Sequence, residues 1–424
     1  MMKCDWKKCK LGEVVNVKGG KRLPAGHVLV QNVTNHPYLR VRDLTQRFPL
    51  KDNFEYITED TFSHISRYIV KENDVVLSIV GSIGLVALIN KNLNNISLTE
   101  NAVRLFSTQV YPLFLYYYLL SPFGQAEIAK NTVGAVQAKL PIYGIQNINI
   151  SLPSMEEQKR IAQILGALDD KIELLQKQNK TLEDMAKAIF KSWFVDFDVV
   201  HAKQKGLPKA DIMREYHLTD ELYDLFPSDF ENSSLGLIPL GWQVKPLSDI
   251  ATLTMGQSPA GTTYNESGEG LPFYQGRTDF EFRFPKKRVY CSAPTRIAEK
   301  GDVLISVRAP VGDLNMANER CCIGRGVASI RPNTLNNSFL YYAMLNIQKK
   351  FDVFNTEGTV FGSINRKDLS SLAILTPSED VLQEFNAIVI SFDLKIEENL
   401  KQIQTLTELR DTLLPPLISG KIRV

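Results

Sequence analysis

The strongest constraint in this sequence is that it is written twice. Asn131-Thr132-Val133-Gly134 recurs as Asn355-Thr356-Glu357-Gly358, an offset of 224 residues. Leu152-Pro153-Ser154 recurs at that offset as Thr376-Pro377-Ser378, and Asp169-Asp170-Lys171-Ile172-Glu173 as Asp393-Leu394-Lys395-Ile396-Glu397. Upstream, Asp74-Val75-Val76-Leu77-Ser78 matches Asp302-Val303-Leu304-Ile305-Ser306 at offset 228, which also places Gly84 on Gly312. Trp6 and Leu11 match Trp242 and Leu247 at offset 236. The order never breaks while the offset drifts, as it does when two diverged copies differ in loop length. Repeats of this size mean two copies of one folded unit.

Each copy has two parts. The first mixes short apolar runs with turn residues. Val75 to Val80 and Val303 to Val307 are β-rich runs closed by glycine or proline, and Tyr111 to Leu120 and Phe339 to Leu345 read as short buried helices. That pattern predicts a compact mixed α+β domain. The second part is a long helix. Ile161, Leu165, Leu168, Ile172, Leu175, Asn179, Leu182, Ala186, Ile189 and Trp193 follow alternating spacings of four and three. Phe385, Val389, Phe392, Ile396, Asn399, Ile403, Leu406, Arg410 and Leu413 follow the same rule. These are heptad seams. Separate amphipathic helices on each domain are the alternative, but equal length and matched register favour packing on each other.

Connectivity makes such a pair antiparallel, because the second helix must return toward the first domain. The expected fold is therefore mixed α+β, with two similar globular domains held apart by a two-helix coiled coil and related by an internal pseudo-twofold. Its seam from Ile161 to Trp193 would span about 48 Å. The expected divisions are 1–150 for the first domain, 151–200 for a central helix, 201–239 for a linker, 240–375 for the second domain and 376–424 for a final helix. Asn179 falls at an a position and Asn399 at a d position. Setting them opposite makes facing residue numbers total about 578, so Trp193 meets Phe385 and Leu165 meets Leu413. A paired core asparagine is a register device; the alternative is that both amides tolerate a wet seam. This register would also set the separation of the two domains.

Charge sorts onto this plan. Residues 1–150 carry a net charge of +6 and residues 240–375 of +4, whereas the remainder carries −8. Two basic lobes on an acidic spacer suit a polyanion gripped at two places, although such an imbalance is also ordinary solvated surface. Catalytic patterns are missing. Gly19-Gly20-Lys21-Arg22 lacks the spacing and hydroxyl of a phosphate loop. The five histidines, His27, His36, His64, His201 and His217, form no H-x-x-x-H pair, and Cys4 and Cys9 have no second pair for zinc. No adenine-methyltransferase tetrapeptide and no Gly-x-Ser-x-Gly elbow occurs. Five cysteines in 424 residues argue against a disulfide framework. No apolar run reaches membrane length, and the N-terminus has no signal core. The expectation is a cytoplasmic binding or scaffolding protein without metal.

Several segments, in order, carry a resemblance. Leu152-Pro153-Ser154-Met155-Glu156-Glu157-Gln158-Lys159-Arg160-Ile161, Ser192-Trp193-Phe194-Val195-Asp196-Phe197, Ser234-Leu235-Gly236-Leu237-Ile238-Pro239-Leu240-Gly241-Trp242 and Leu413-Leu414-Pro415-Pro416-Leu417-Ile418-Ser419-Gly420-Lys421-Ile422 span the chain. Together they resemble the specificity subunit of type I restriction-modification enzymes. After Pro377 the second copy departs from the family's polar motif while keeping its helix. The resemblance implies a non-catalytic subunit whose two target-recognition domains each read half of a split, asymmetric double-stranded DNA site. It further implies docking of two methyltransferase subunits and of translocating restriction subunits. S-adenosylmethionine, ATP and magnesium would belong to those partners, and this chain would hold no cofactor. Two other readings stay open here. One is a duplicated DNA-binding or adaptor protein of the same fold in another assembly, orphan or phase-variable. The other is an enzyme whose residues show no pattern.

Base-edge and phosphate contacts come from Arg, Lys, Asn and Gln in loops. In the first domain the candidates are Lys18, Lys21 and Arg22 around Gly19-Gly20, then Arg40, Arg42, Gln46 and Arg47, then Gln137 and Lys139. In the second they are Gln257 and Ser258 after Gly256, Gln275 and Arg277, and Arg308, which aligns with Val80. Arg283, Lys286, Lys287 and Arg288, interleaved with Phe280, Phe282 and Phe284, read as a phosphate-binding segment. For each residue the plain alternative is exposed charge.

Overall fold

A computed structural model describes residues 6–334, 337–356 and 362–424. Cys4, Glu357 and Gly358, named above, lie outside the described residues. The chain forms two compact units, Met1–Gln176 with Leu400–Val424, and Lys177–Asn399.

Each unit is built on the same four-stranded antiparallel sheet. In the first unit the order is Asn16–Gly19, Ala102–Phe106, Val75–Ser78, Val86–Leu88. In the second it is Ala251–Met255, Val327–Pro332, Val303–Ser306, Leu314–Met316. The central strands, Val-Val-Leu-Ser and Val-Leu-Ile-Ser, are buried at every position. Continuous apolar runs are what a strand covered on both faces requires. Val75 and Leu77 face the buried helix Pro112–Leu120, while Val76 packs into a second cluster with Leu39 and Leu98. Val303 and Ile305 likewise face the helix Asn337–Asn346, while Leu304 packs with Tyr274 and Phe280. A two-stranded ribbon ties the ends of each domain together, Lys7–Lys10 with Asn149–Leu152 and Gln243–Pro246 with Ala373–Thr376.

The duplication reaches single hydrogen bonds. The Ser78 hydroxyl donates to the Ser82 carbonyl and accepts the Leu85 amide; Ser306 repeats this with Pro310 and Asp313. Gly84 and Gly312, at φ 90° and 96°, turn the following loops in the left-handed region that favours glycine. Asp74 accepts from the Lys71 amide and Arg104, and Asp302 from the Glu299 amide and Arg331. Asp302 also takes the Ser329 hydroxyl at 2.7 Å. Asp302→Ala should therefore lower stability by about 1.5–3 kcal/mol, the worth of a hydrogen bond to a charged group. An unchanged chemical-denaturation midpoint would contradict this.

The copies differ in their smaller sheets. The first has three strands, Glu55–Tyr56, Pro37–Leu39 and Ser97–Leu98; the second has five, Tyr264–Asn265, Tyr290–Cys291, Leu271–Tyr274, Cys321–Ile323 and Ile297–Ala298. The second copy is nonetheless the shorter between shared anchors, so the offset falls along the chain from 236 to 224. Residues 201–239, read above as linker, are folded. The helices Asp198–Gln204, Lys209–Tyr216 and Asp220–Leu225 bury Val199, Val200, Ile212, Leu222 and Phe226 in the core of the second unit.

The two long helices run Met155–Phe194 and Glu379–Ile418. No seam residue named above is exposed. In the first unit Ile161, Ala162 and Leu165 share a core with Leu414, Leu417 and Ile418, and Arg410 pairs with Asp169 at 2.8 Å. In the second, Trp193 and Phe385 lie with ring centroids 6.1 Å apart, and the Asn399 Nδ2 donates to the Asn179 Oδ1 at 2.8 Å. Facing numbers total 578 at both latter pairs and 579 at Asp169 with Arg410. Within each unit one helix's numbering rises as the other's falls, so the helices are antiparallel. Among the described residues no helix is long and apolar enough to cross a membrane.

Candidate nucleic-acid interface

Corresponding ends of the two four-stranded sheets gather several of the candidate residues. In the first unit the chain leaves the sheet at Gly20, whose amide donates to the Ala102 carbonyl at 3.0 Å, and the Lys21 amide donates to Leu98 at 2.9 Å. A Cβ on Gly20 would sit 2.0 Å from the Thr99 carbonyl oxygen, so only glycine passes here. This crossing presents Lys21 and Arg22. Beside it, the Ile79 amide donates to Asn101, the Leu140 amide donates to Ile79, and Val80 bridges Lys139. A hairpin closed by reciprocal 2.9 Å bonds between Val133 and Lys139 therefore projects from the same end. It turns at Gly134 (φ 97°), and residues 133–139, including Gln137, are all exposed. Its tip, Val136, is 97% exposed.

The second unit repeats this end. The Gly256 amide donates to Val327 at 2.9 Å, and a Cβ there would lie 2.2 Å from the Gly324 carbonyl oxygen. Gln257 and Ser258 follow, both exposed. Arg308 bridges Ser363 as Val80 bridges Lys139. Arg325 joins them, its amide donating to the Ser258 hydroxyl at 3.4 Å. Sequence reasoning missed Arg325 and Val136. Their flanking glycines, Gly324, Gly326 and Gly134, were the only local signal.

Several candidates, Arg22 at the crossing among them, are already paired. Arg40 and Arg42 both reach Glu55, at 2.7 and 2.9 Å. Arg22 holds Glu100 at 2.9 Å, which raises its own pKa. Arg277 pairs with Asp313 at 2.6 Å, Lys286 with Glu281 at 3.9 Å, Lys287 with Glu319 at 2.5 Å, and Arg288 with Asp279. Surface pairs contribute only about 0–1 kcal/mol, so phosphate competes for the exposed ones. Lys18 and Gln275 are exposed, with the Lys18 ammonium 5.7 Å from the Phe106 ring centre.

Two candidates are corrected. Arg47 is 7% exposed and Arg283 1%. Arg47 pairs with Asp170 and Glu173, and Arg283 with Asp393, all on the long helices. A guanidinium turned into the protein cannot reach a phosphate, so both leave the interface. Basic residues alternating with aromatics look alike in sequence whether the arginine points out or in.

Among the described residues one group brings metal-type donors within 4.8 Å of one another, His27, Asp60 and His64. Asp60 lies 3.8 Å from the His27 Nδ1 and 4.0 Å from the His64 Nε2, and these are surface ion-pair contacts.

The profile of the type I restriction modification DNA specificity domain matches residues 3–184 and 239–408. The chain is 29% identical over 440 residues to a Methanocaldococcus jannaschii protein named as the MjaX type I restriction enzyme specificity subunit, covering 99% of this chain and 94% of that one. It is 27% identical over 328 residues to the HindI type I restriction enzyme specificity subunit of Haemophilus influenzae, covering 66% and 70% respectively. The crystal structure of a type I restriction-modification S subunit from M. genitalium matches with a TM-score of 0.58, covering 98% of this chain and 97% of that one. At 16% identity that likeness concerns the fold. Two copies of one recognition fold, each followed by a long helix, and a profile matched in both copies show that this chain belongs to the type I restriction-modification DNA specificity family.

Proposed function

We propose that the chain reads a split, asymmetric double-stranded DNA site in the cytoplasm, one half with each domain, and has no catalytic role of its own. Its long helices dock two methyltransferase subunits, and restriction subunits join that core. S-adenosylmethionine, ATP and magnesium act in those partners. The observation that carries this reading is the repeated sheet end. In both units a glycine crossing and a neighbouring bridge present exposed Lys, Arg and Gln side chains, with Lys21, Gln137 and Lys139 in one and Gln257, Arg308 and Arg325 in the other. Arginine and glutamine fork onto base edges, lysine positions on phosphate.

The test is the salt dependence of DNA binding by the complex with its methyltransferase. Neutralising Lys21, Arg22 and Lys139 together should lower the log–log salt slope by about one for each phosphate left without its cation. Neutralising Lys177, Lys180 and Lys187 on the first long helix should leave it unchanged. Equal falls for the two triples would overturn the placement of the interface.

A further inference from the structure

We infer that Arg47 and Arg283 are equivalent positioning residues, each strutting its recognition domain onto the long-helix segment of its own unit without touching DNA. This rests on the proposed reading of function and adds which residues hold the reading surface in place.

The equivalence stands on backbone geometry as well as on sequence. The two arginines are 236 residues apart, the offset that relates Trp6 to Trp242. The Leu88 amide donates to the Arg47 carbonyl at 2.7 Å, and the Met316 amide to the Arg283 carbonyl at 2.9 Å. Leu88 and Met316 end the matching strands Val86–Leu88 and Leu314–Met316. One turn before each arginine lies a short 3-10 helix, Val41–Asp43 or Arg277–Asp279. Its aspartate caps a nearby amide, Arg40 at 2.8 Å and Gln275 at 2.7 Å.

The two side chains do the same work with different partners. Arg47 donates through Nε to Glu173 at 2.8 Å and through Nη2 to Asp170, with Nη1 3.5 Å from the Gly166 carbonyl oxygen. Arg283 donates through Nη2 to Asp393 at 2.7 Å and to the Tyr342 hydroxyl at 2.6 Å, with its guanidinium 4.2 Å from the Tyr341 ring centre. Asp393 corresponds to Asp169, but Asp169 is already taken by Arg410 and by the Tyr117 hydroxyl at 2.6 Å. The first copy therefore uses the carboxylates beside it on the helix, Asp170 and Glu173. The carboxylates differ between the copies, and the arginine strut is common to both. Burial pushes the Asp393 carboxyl up against the opposing pull of Arg283, so the carboxylate depends on its arginine.

A planar guanidinium held at two points fixes an angle as well as a distance. Arg40 and Arg42 lie on the same segment as Arg47, and Arg288 follows Arg283. Releasing a strut lets that segment swing on the helix. Reading by its own domain then blurs, while the phosphates gripped by the surface cations stay the same.

The experiment uses the complex with its methyltransferase and duplexes carrying the cognate site or a base change in either half. Arg47→Met removes the charge; Asp170→Asn with Glu173→Gln removes the helix carboxylates and leaves the arginine in place. Both variants should lose about tenfold in discrimination against the half-site read by residues 1–150, the scale of one base position. The other half-site and the salt slope should stay as in the wild type. Arg47→Lys should restore part of the discrimination. A slope lower by about one for Arg47→Met would show that Arg47 itself grips a phosphate and overturn the inference. So would unchanged discrimination in both variants, or equal losses in both halves. A wild-type complex without sequence preference would instead overturn the proposed function, and this inference with it.

Discussion

Exchanging residues 1–150 for the corresponding domain of another specificity subunit should replace one half of the methylated sequence and leave the other half intact. Each domain is closed by its own ribbon, Lys7–Lys10 on Asn149–Leu152 in the first copy, so the one junction, after residue 150, falls within the ribbon where the domain closes. The Lys10 ammonium, donating to the Asn147 carbonyl at 3.0 Å and the Asn149 side chain at 2.9 Å, reinforces that closure. The graft must still meet the first long helix, where Trp6 donates to Glu157 at 3.2 Å and Tyr117 donates to Asp169. Burial beside Asp169 pushes the Tyr117 phenol up, which keeps it a donor. A donor domain with an arginine at the place of Arg47 should graft cleanly. Methylome sequencing is the measurement. If both half-sites change, the two copies do not read independently.

The second large effect concerns the paired asparagines. Asn179→Leu alone should cost about 1–3 kcal/mol, because it strands the buried amide of Asn399 against an apolar side chain. That amide already has one unpartnered atom, Oδ1, and Asn179 has its Nδ2. Replacing both residues by leucine should restore or exceed wild-type stability, since removing both partners leaves no polar group to satisfy. The double variant should pay in register, the property a core asparagine supplies in coiled coils. Cysteines at Leu182 and Ile396, whose numbers also total 578, should cross-link fully in the wild type and incompletely in the double leucine variant. A single variant as stable as the double one would sink the argument.

Much of this molecule is legible in one dimension. The duplication is a match of sequence to itself. The helix seams are a fixed spacing, and the facing of Asn179 and Asn399 follows from antiparallel connectivity once the two core amides are required to pair. The buried central strands announce themselves as unbroken apolar runs. These signals are local or periodic, so they survive without knowledge of the fold.

What escaped the sequence depended on partners far along the chain. Arg47 meets Glu173 across 126 residues, and Arg283 meets Asp393 across 110. Nothing local distinguishes them from exposed neighbours such as Arg42 or Lys286. Their inward turn was decided by which carboxylates the helix register brought within reach. The extra strands of the second small sheet were hidden because strands of two residues carry no period. Residues 201–239 concealed their packing because three short helices hold too few turns for a seam. Repeat, period and connectivity settle the architecture. Which charges serve the protein's own interior, and which remain for a partner, was settled only by the tertiary structure, because a buried ion pair persists only where both ends are brought together and desolvated in one place.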